Sequence, residues 1–272
     1  MMNSIWAFAL AFWMFWFPQT VVRVPGPGGA VPSGGGVTPA FVQANGTSNG
    51  SLAGTTGLAF STNVASGNAL FIFFFDGNAS GDTIAFSDSQ GNTITNKGSV
   101  NVATDGDTMA IGCGIAGSSG ADTIKWTINA SGAASPVDLI IWEVSGATCT
   151  LDTTTSPSGG YTTSNTTFTT PVTSGSITTT TNGDLMLMYA ANVHDRTSPD
   201  LQMSAGSGFS SLTCIVYNAA GLNCSPAGTD GVQGGVEMKV LTTAGADSGS
   251  ITVTNPGASM EYGVIYATFK HS

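Results

Sequence analysis

The sequence predicts an all-β protein, an antiparallel β-sandwich that is jelly-roll-like and follows a short apolar N-terminal helix and a Pro/Gly linker. Hydrophobic residues make up 41 % of the 272-residue chain and charged residues only 8 %, against about 25 % charged in soluble domains. Small neutral polar residues alternate with apolar ones, and Gly, Asn and Asp recur between the apolar segments as turn signals. No segment beyond Pro39 has a sustained helical period.

The N-terminal segment, residues 1–23, is apolar. Ile5 to Phe17 reads IWAFALAFWMFWF, thirteen apolar residues in succession. As a helix this run is about 20 Å long, shorter than the ~30 Å hydrocarbon core and similar to the apolar region of a signal peptide. No Lys or Arg precedes it, and no small-residue cleavage site follows closely. Three interpretations stay open: a signal peptide, a membrane anchor, or a helix that packs against copies of itself in an assembly.

A linker and a single β module account for the rest of the chain. Residues 24–39 contain four prolines and six glycines, a composition that forms a linker rather than regular structure. Residues 40–272 have the length of one large all-β domain.

The strands of the module are predicted from two kinds of pattern. Leu70 to Phe75 is a continuous apolar run, typical of a core strand. Val137 to Val144, VDLIIWEV, is predicted as another core strand, and Trp142 is expected in the core. Thr123 to Asn129 and Val236 to Leu241 alternate apolar and polar side chains, typical of strands. Further strands are expected at residues 184–193, 250–254 and 260–269.

Charge and cysteine content restrict the partners and the compartment. The net charge is −10, and the six basic residues form no cluster, so nucleic acid is excluded as a partner. The four cysteines fit disulfides in an oxidising compartment. Cys214 and Cys224 flank a stretch with turn residues and are expected to close a loop, which leaves Cys113 and Cys149 as the second pair. Buried free thiols are the alternative.

Several short motifs, in their order along the chain, carry a resemblance. They are Ser87–Thr93 (SDSQGNT), Ile141–Gly146 (IWEVSG), Thr178–Leu185 (TTTTNGDL), Gly206–Phe209 (GSGF) and Ala267–Lys270 (ATFK). The module resembles a family of uncharacterised, Ser/Thr/Gly-rich bacterial extracellular β-sandwich domains, also found in phage-associated and multi-domain surface proteins. The resemblance implies a jelly-roll-like sandwich in an exported setting, and it implies no catalytic residues.

Candidate chemical groups are few. Glu143 lies in the apolar run IIWEV, where a buried carboxylate needs partners. It is either a strand-end residue that bonds the backbone or a neighbouring Lys or faces solvent, or one half of a glycosidase pair with Glu237 or Glu261. His194, Asp195 and Asp200 suggest a triad, but no GxSxG elbow accompanies them, so they are interpreted as a loop. No cofactor is predicted, and structural Ca²⁺ stays an alternative for the turn residues Asp76, Asp82, Asp88, Asp105 and Asp107.

These observations support three functional hypotheses. The first is a non-enzymatic recognition or adhesion module on a cell or virion surface, which binds a glycan or surface polymer with Tyr161 and Tyr217 as candidates for its ligand face. The second is a structural subunit of an extracellular filament or virion appendage, whose partners are copies of itself and whose residues Met1–Phe17 enter a membrane or an assembly core. The third is a glycoside hydrolase.

Overall fold

The structure is a computed structural model that describes residues 36–49, 57–77, 83–102, 107–129, 137–152, 161–163, 171–192, 201–217, 221–226, 231–254 and 262–272. These residues belong to one compact unit, Pro32–Ser272. The apolar segment 1–23 with its predicted helix and most of the linker 24–39 lie outside the described residues, as do Glu261, His194, Asp195, Asp200, Asp82 and Asp105.

The described residues form β-strands, turns and loops without a helix, which confirms the all-β prediction. The nineteen strands are β1 (Ala40–Asn49), β2 (Leu58–Ala59), β3 (Ala69–Asp76), β4 (Thr83–Asp88), β5 (Thr95–Val102), β6 (Asp107–Ile115), β7 (Thr123–Asn129), β8 (Val137–Ser145), β9 (Ala147–Leu151), β10 (Tyr161–Thr163), β11 (Val172–Thr173), β12 (Ile177–Thr178), β13 (Asp184–Asn192), β14 (Gln202–Ser204), β15 (Ser210–Val216), β16 (Val232–Leu241), β17 (Ala246–Asp247), β18 (Ser250–Thr254) and β19 (Tyr262–His271). Their pairings within the described residues are all antiparallel. In this part of the chain there is also no helix of a length and hydrophobicity that could cross a membrane.

Two large sheets stack on each other at the centre of the fold. The first has the strand order β1-β8-β3-β6-β5, and the second has the order β10-β19-β13-β16-β15, with β9 also paired to β19. Their facing side chains form one apolar core that includes Phe71, Phe73, Trp142, Tyr189 and Phe269. Phe73 lies between the sheets, with its ring centroid 5.9 Å from that of Trp142 and 5.8 Å from that of Tyr189.

Each central sheet is covered on its outer face by smaller sheets. The sheet β2-β7-β4 packs on the first central sheet through Phe86 and Trp126, which join a second apolar cluster with Phe74. The sheet β11-β18-β14 packs on the second central sheet, where Ile251 and Val253 meet the outward side chains of β13 and β19. The described module therefore has more layers than the two-layer core that the sequence suggested.

Strands that are buried on both faces explain the extra layers. In β3 and β8 all but one terminal residue are buried, because side chains on both faces of the strand pack against another sheet. The alternation in β16 is misleading for the same reason: Val236 and Met238 face the central core, but Glu237 on the opposite face is also buried.

The strand order occurs twice along the chain. Residues 40–145 contain the paths β1-β8-β3-β6-β5 and β2-β7-β4, and residues 161–271 contain β10-β19-β13-β16-β15 and β11-β18-β14. Taken in chain order, the eight strands of the first set match eight of the second set one to one. We call residues 40–145 the first repeat and residues 161–271 the second repeat.

The same glycine turn precedes the third strand of each repeat. Gly67, before β3, has φ of 88°, and its N–H donates to the Ala116 carbonyl over 2.8 Å. Gly183, before β13, has φ of 90°, and its N–H donates to the Leu241 carbonyl over 2.7 Å. Glycine tolerates this left-handed conformation without a Cβ clash. The same turn thus leads into the central strand of each repeat.

Both cysteine pairs that the sequence suggests are bridged. Cys113 in β6 is bonded to Cys149 in β9, so this disulfide joins the two central sheets. Cys214 in β15 is bonded to Cys224 and closes a ten-residue loop. Since disulfides persist in oxidising compartments, the two bonds indicate an oxidising environment.

Candidate functional site

One concave feature of the described surface is a groove of about 380 Å³ at one edge of the central sheets. It lies between the first strand of the first repeat, β1, and the fifth strand of the second repeat, β15, both of which are edge strands. We call it the edge groove. Its described lining residues are Phe41, Ala44, Leu212, Thr213, Cys214, Leu222, Asn223 and Cys224.

The two strands that border the groove, β1 and β15, both have irregular backbone. The register of β1 shifts between Phe41 and Gln43, and that of β15 shifts between Ser210 and Thr213. Within the second shift Ser211 has φ of 56°, the one positive φ of a non-glycine residue in the described part of the chain. Bulges and strained backbone are enriched beside functional sites.

The disulfide loop forms one wall of the groove. Beyond the Cys214–Cys224 bond, the Asn223 N–H donates to the Cys214 carbonyl over 2.9 Å, and Gly221 N–H donates to the Gly46 carbonyl of β1 over 3.3 Å. Leu222 is held at the rim with 37 % of its surface exposed. These bonds fix the loop across the gap between the two edge strands.

The groove presents an aromatic and aliphatic surface with neutral polar groups. Phe41 packs edge-on against Trp142, with ring centroids 5.0 Å apart, so its position is fixed by the central core. Leu212 and Leu222 supply aliphatic surface, and the Thr213 hydroxyl and the Asn223 amide can donate and accept hydrogen bonds. None of the described lining residues is charged, so the site suits a neutral ligand.

The predicted ligand-face residues lie near the groove or outside the described side chains. Tyr217 directly follows β15 and is half-buried, but it is not among the lining residues. The backbone of Tyr161 pairs with Val264 in β19, and its side chain lies outside the described ones. Sequence reasoning missed Phe41, because an apolar residue near the start of an edge strand carries no signal that separates a groove wall from core.

Glu143 is fully buried and fully hydrogen-bonded. Its Oε1 accepts from Ala65 N over 2.7 Å and from Asn68 Nδ2 over 2.6 Å, and its Oε2 accepts from Gln43 Nε2 over 2.6 Å. The carboxylate thereby ties β8 to β1 and to the segment before β3. One of its three partners is a backbone N–H, and the other two are side-chain amides.

Glu143 and Glu237 do not form a glycosidase pair. Each lies on the outer face of its central sheet, Glu143 toward β2-β7-β4 and Glu237 toward β11-β18-β14. The shared core therefore separates them, whereas the reaction needs two carboxyl groups on either side of one glycosidic bond. That pairing is wrong.

Glu237 is a buried carboxyl group with few partners. Its Oε2 accepts from Gly206 N over 2.8 Å, and its Oε1 has no partner within the described structure. Burial raises the pKa of Glu237 to about 7, against the lowering effect of the backbone hydrogen bonds from Gly206 and Ser250. Nearby on the same face, Lys239 Nζ pairs with Asp247 over 2.7 Å.

A second ionisable cluster, which sequence reasoning missed, lies where the chain ends. His271 Nδ1 lies 3.0 Å from Asp184 Oδ1. Burial raises the pKa of Asp184, and its hydrogen bond with Asp152 adds to that rise. Although burial acts to raise the pKa of Asp152 too, hydrogen bonds from Thr180 and from Asp184 hold it below its usual range. The cluster fastens β19 to β13 and β9.

Of the candidate Ca²⁺ residues, Asp76, Asp88 and Asp107 belong to the described structure. Asp88 accepts from Asn92 N over 2.8 Å within its own turn, as Asp commonly does. Asp76 and Asp107 are buried at strand ends. No group of three or more His, Cys, Asp or Glu side chains among the described residues could hold a metal ion.

Comparisons with known proteins add no assignment: no protein-family model matches the chain, and searches of curated proteins and of solved structures give no match.

Proposed function

We propose that this chain is a non-enzymatic recognition module, secreted or displayed on a cell or virion surface, that binds a neutral polymer, specifically a glycan, in the edge groove. The observation that carries the proposal is the groove itself, with a fixed aromatic ring, two leucines and uncharged hydrogen-bonding groups between two bulged edge strands. Glycans offer apolar ring faces and hydroxyl groups, which such a surface complements.

The setting supports this proposal. Two disulfides favour an oxidising compartment. In the sequence a Pro/Gly-rich linker precedes the module, an arrangement that would space the groove away from an anchored N-terminal segment.

We further infer that each repeat follows a jelly-roll path. A jelly roll has eight strands in two sheets. In the first repeat the strands β1-β8-β3-β6 form one sheet, and the sheet β2-β7-β4 packs against it across an apolar layer. The second repeat has the corresponding order. The inference rests on strand order.

A glycan array tests the recognition function with the full chain and two matched variants. Leu222→Asp places a charge at the groove rim, and Ile115→Asp makes the same kind of change at a residue 39 % exposed and outside the groove. We expect the wild type and Ile115→Asp to retain the same glycans. Leu222→Asp should lose at least about tenfold in affinity, since the bound glycan would cover the new carboxylate and remove it from water without a partner of opposite charge. Failure of the wild type to retain any glycan, or equal retention by both variants, would contradict the proposal.

A structural subunit is the second candidate function. It is favoured by the apolar run of residues 5–17 and by two exposed apolar side chains near the start of β1, Val37 and Val42, 61 % and 46 % exposed. Electron microscopy of the full chain separates the two functions. Filaments that disappear on deletion of residues 1–17 would support the subunit, and dispersed particles that retain glycan would support recognition.

A further inference from the structure

We propose that Gln43 and Thr62 join covalently, through an ester between Thr62 Oγ1 and Gln43 Cδ that forms with loss of ammonia and with Glu143 as the proton carrier. The inference goes beyond the recognition function and does not depend on it. It rests on the contacts of the Gln43 carboxamide, a group that is 8 % exposed.

Thr62 contacts the carboxamide at both of its polar atoms. The Thr62 N–H donates to Gln43 Oε1 over 2.9 Å, and Gln43 Nε2 donates to the Thr62 carbonyl over 3.2 Å. The backbone of Thr62 is thus fixed against the side chain of Gln43, which holds the two side chains together without the entropy cost of bringing them into contact.

Three hydrogen-bond donors meet the carboxamide oxygen, one more than its two lone pairs can accept from. Gln43 Oε1 lies 2.9 Å from Thr62 Oγ1 and 3.0 Å from Ser61 Oγ, in addition to Thr62 N. A carbonyl oxygen has two lone pairs, which Thr62 N–H and Ser61 O–H suffice to occupy. These two donors polarise the carbonyl and would stabilise a developing oxyanion. The Thr62 hydroxyl, whose Oγ1 is also within hydrogen-bond distance of Oε1, is then free to act as the nucleophile toward Cδ.

Glu143 is placed to move the proton. Its Oε2 lies 2.6 Å from Gln43 Nε2, the leaving group. When Thr62 Oγ1 attacks Cδ, a C–O bond forms and the carbonyl electron pair moves to Oε1. Oγ1 and Nε2 are then substituents of one carbon, so the same carboxylate can take the proton from Oγ1 and pass it to Nε2.

The second half of the reaction restores the carbonyl. The electron pair on Oε1 returns, the Cδ–Nε2 bond breaks, and ammonia leaves. The products are an ester and ammonia, and no oxidant, reductant or metal is consumed. Thr62 is exposed, so ammonia can escape to solvent.

The cross-link would lie where the module meets its linker. Strand β1 begins at Ala40, opposite Ser145 of β8, and β8 is its only sheet neighbour along the described path. Tension on the linker would separate β1 from β8 starting at Ala40. A bond at Gln43 to the segment before β3 would stop that separation after a few residues.

Peptide mass analysis tests the ester directly. No Lys or Arg lies between Arg23 and Lys97, so trypsin leaves Gln43 and Thr62 in one peptide, residues 24–97, which contains no cysteine. From the full chain we expect this peptide to be lighter than its sequence by one ammonia, and a second digestion with chymotrypsin to leave the Gln43 and Thr62 fragments joined. A wild-type peptide of unmodified mass would overturn the proposal.

Variants assign the roles. Thr62→Val and Glu143→Gln should give the unmodified mass, whereas Thr62→Ser should retain the loss of ammonia because it keeps the hydroxyl. Ser66→Ala is the matched control and should retain the loss as well, because Ser66 lies in the same segment but hydrogen-bonds Ser119 and Gly117 rather than the carboxamide. Loss of the cross-link in Ser61→Ala together with its retention in Thr62→Val would contradict the assignment of Thr62 as the nucleophile.

Discussion

Buried carboxyl groups show at the residue scale how similar sequence patterns lead to different environments. Glu143 and Glu237 both lie in strands rich in apolar residues and are both fully buried. Glu143 accepts three hydrogen bonds, one from β1 and two from the segment before β3. One oxygen of Glu237, by contrast, has no partner in the described structure. The neutral form of Glu237 is therefore favoured until the pH reaches about 7.

The raised pKa of Glu237 predicts a pH dependence of stability. The group ionises near its usual pKa of 4.5 in the unfolded chain and at about 7 in the folded protein, so the folded state binds more protons between these values. The free energy of unfolding therefore falls as the pH rises through this window. Glu237→Gln removes the titration, and we expect it to be more stable than the wild type at pH 8 by on the order of 2 kcal/mol.

Urea unfolding at pH 5 and pH 8 measures this difference. The comparison at pH 5 is the control, because the wild-type group is then largely protonated when folded and the two proteins should differ little. An equal difference at both pH values would show that Glu237 does not titrate in the window.

At the element scale, the bounds of several strands could be predicted from their apolar or alternating residues. The predicted spans for β7 and β18 agree with the structure at both ends, and those for β3, β8 and β13 agree within one residue at each end. Strand β5, TNKGSVNV, was missed because its composition is polar. It is an edge strand, paired on one side only, so it needs fewer apolar side chains than a central strand does.

The edge groove could not be predicted from the sequence. Its shape depends on register shifts in β1 and β15, and these follow from how the two central sheets meet rather than from any local pattern. The Cys214–Cys224 pair was the one signal that pointed to this region, since a short loop closed by two cysteines can be recognised by spacing.

The two disulfides should differ in what they stabilise. Cys113–Cys149 spans 36 residues and joins the two central sheets, so loop entropy predicts a loss of about 4 kcal/mol in the free energy of unfolding for the Cys113→Ala/Cys149→Ala variant. Cys214–Cys224 spans ten residues, and its double alanine variant should lose about 3 kcal/mol.

Urea unfolding of both variants, together with glycan binding, checks this difference. The Cys214→Ala/Cys224→Ala variant should also lose glycan affinity, because Leu222 and Asn223 are no longer fixed at the groove. The other variant is its control. Loss of affinity in the Cys113→Ala/Cys149→Ala variant alone would contradict the placement of the site.

At the scale of the whole molecule, two repeats of one strand path share a single core. The first repeat contributes Phe71, Phe73 and Trp142 to that core, and the second contributes Tyr189 and Phe269. The sequence did not reveal the repeat, because equivalent strands such as ALFIFFFD and DLMLMYAAN share burial but few residues. The hydrophobic pattern determines only which side chains of a strand are buried. The correspondence between the two repeats lies in the order in which their strands pair, and that order is visible only in the structure.

The edge groove depends on this shared core, since one wall comes from each repeat. If the repeats opened independently, Phe41 and Leu212 would not stay on opposite sides of one site. The central claim is therefore that the module Pro32–Ser272 behaves as a single cooperative body.

Native-state hydrogen exchange measures that cooperativity most directly. The amides of β3 and β13 lie at the centre of the two sheets, each between two paired strands. With both disulfides intact, we predict that the slowest amides of the two strands exchange with the same free energy of opening, equal to that of global unfolding. Exchange of the β13 amides through an opening that leaves β3 protected would contradict the account.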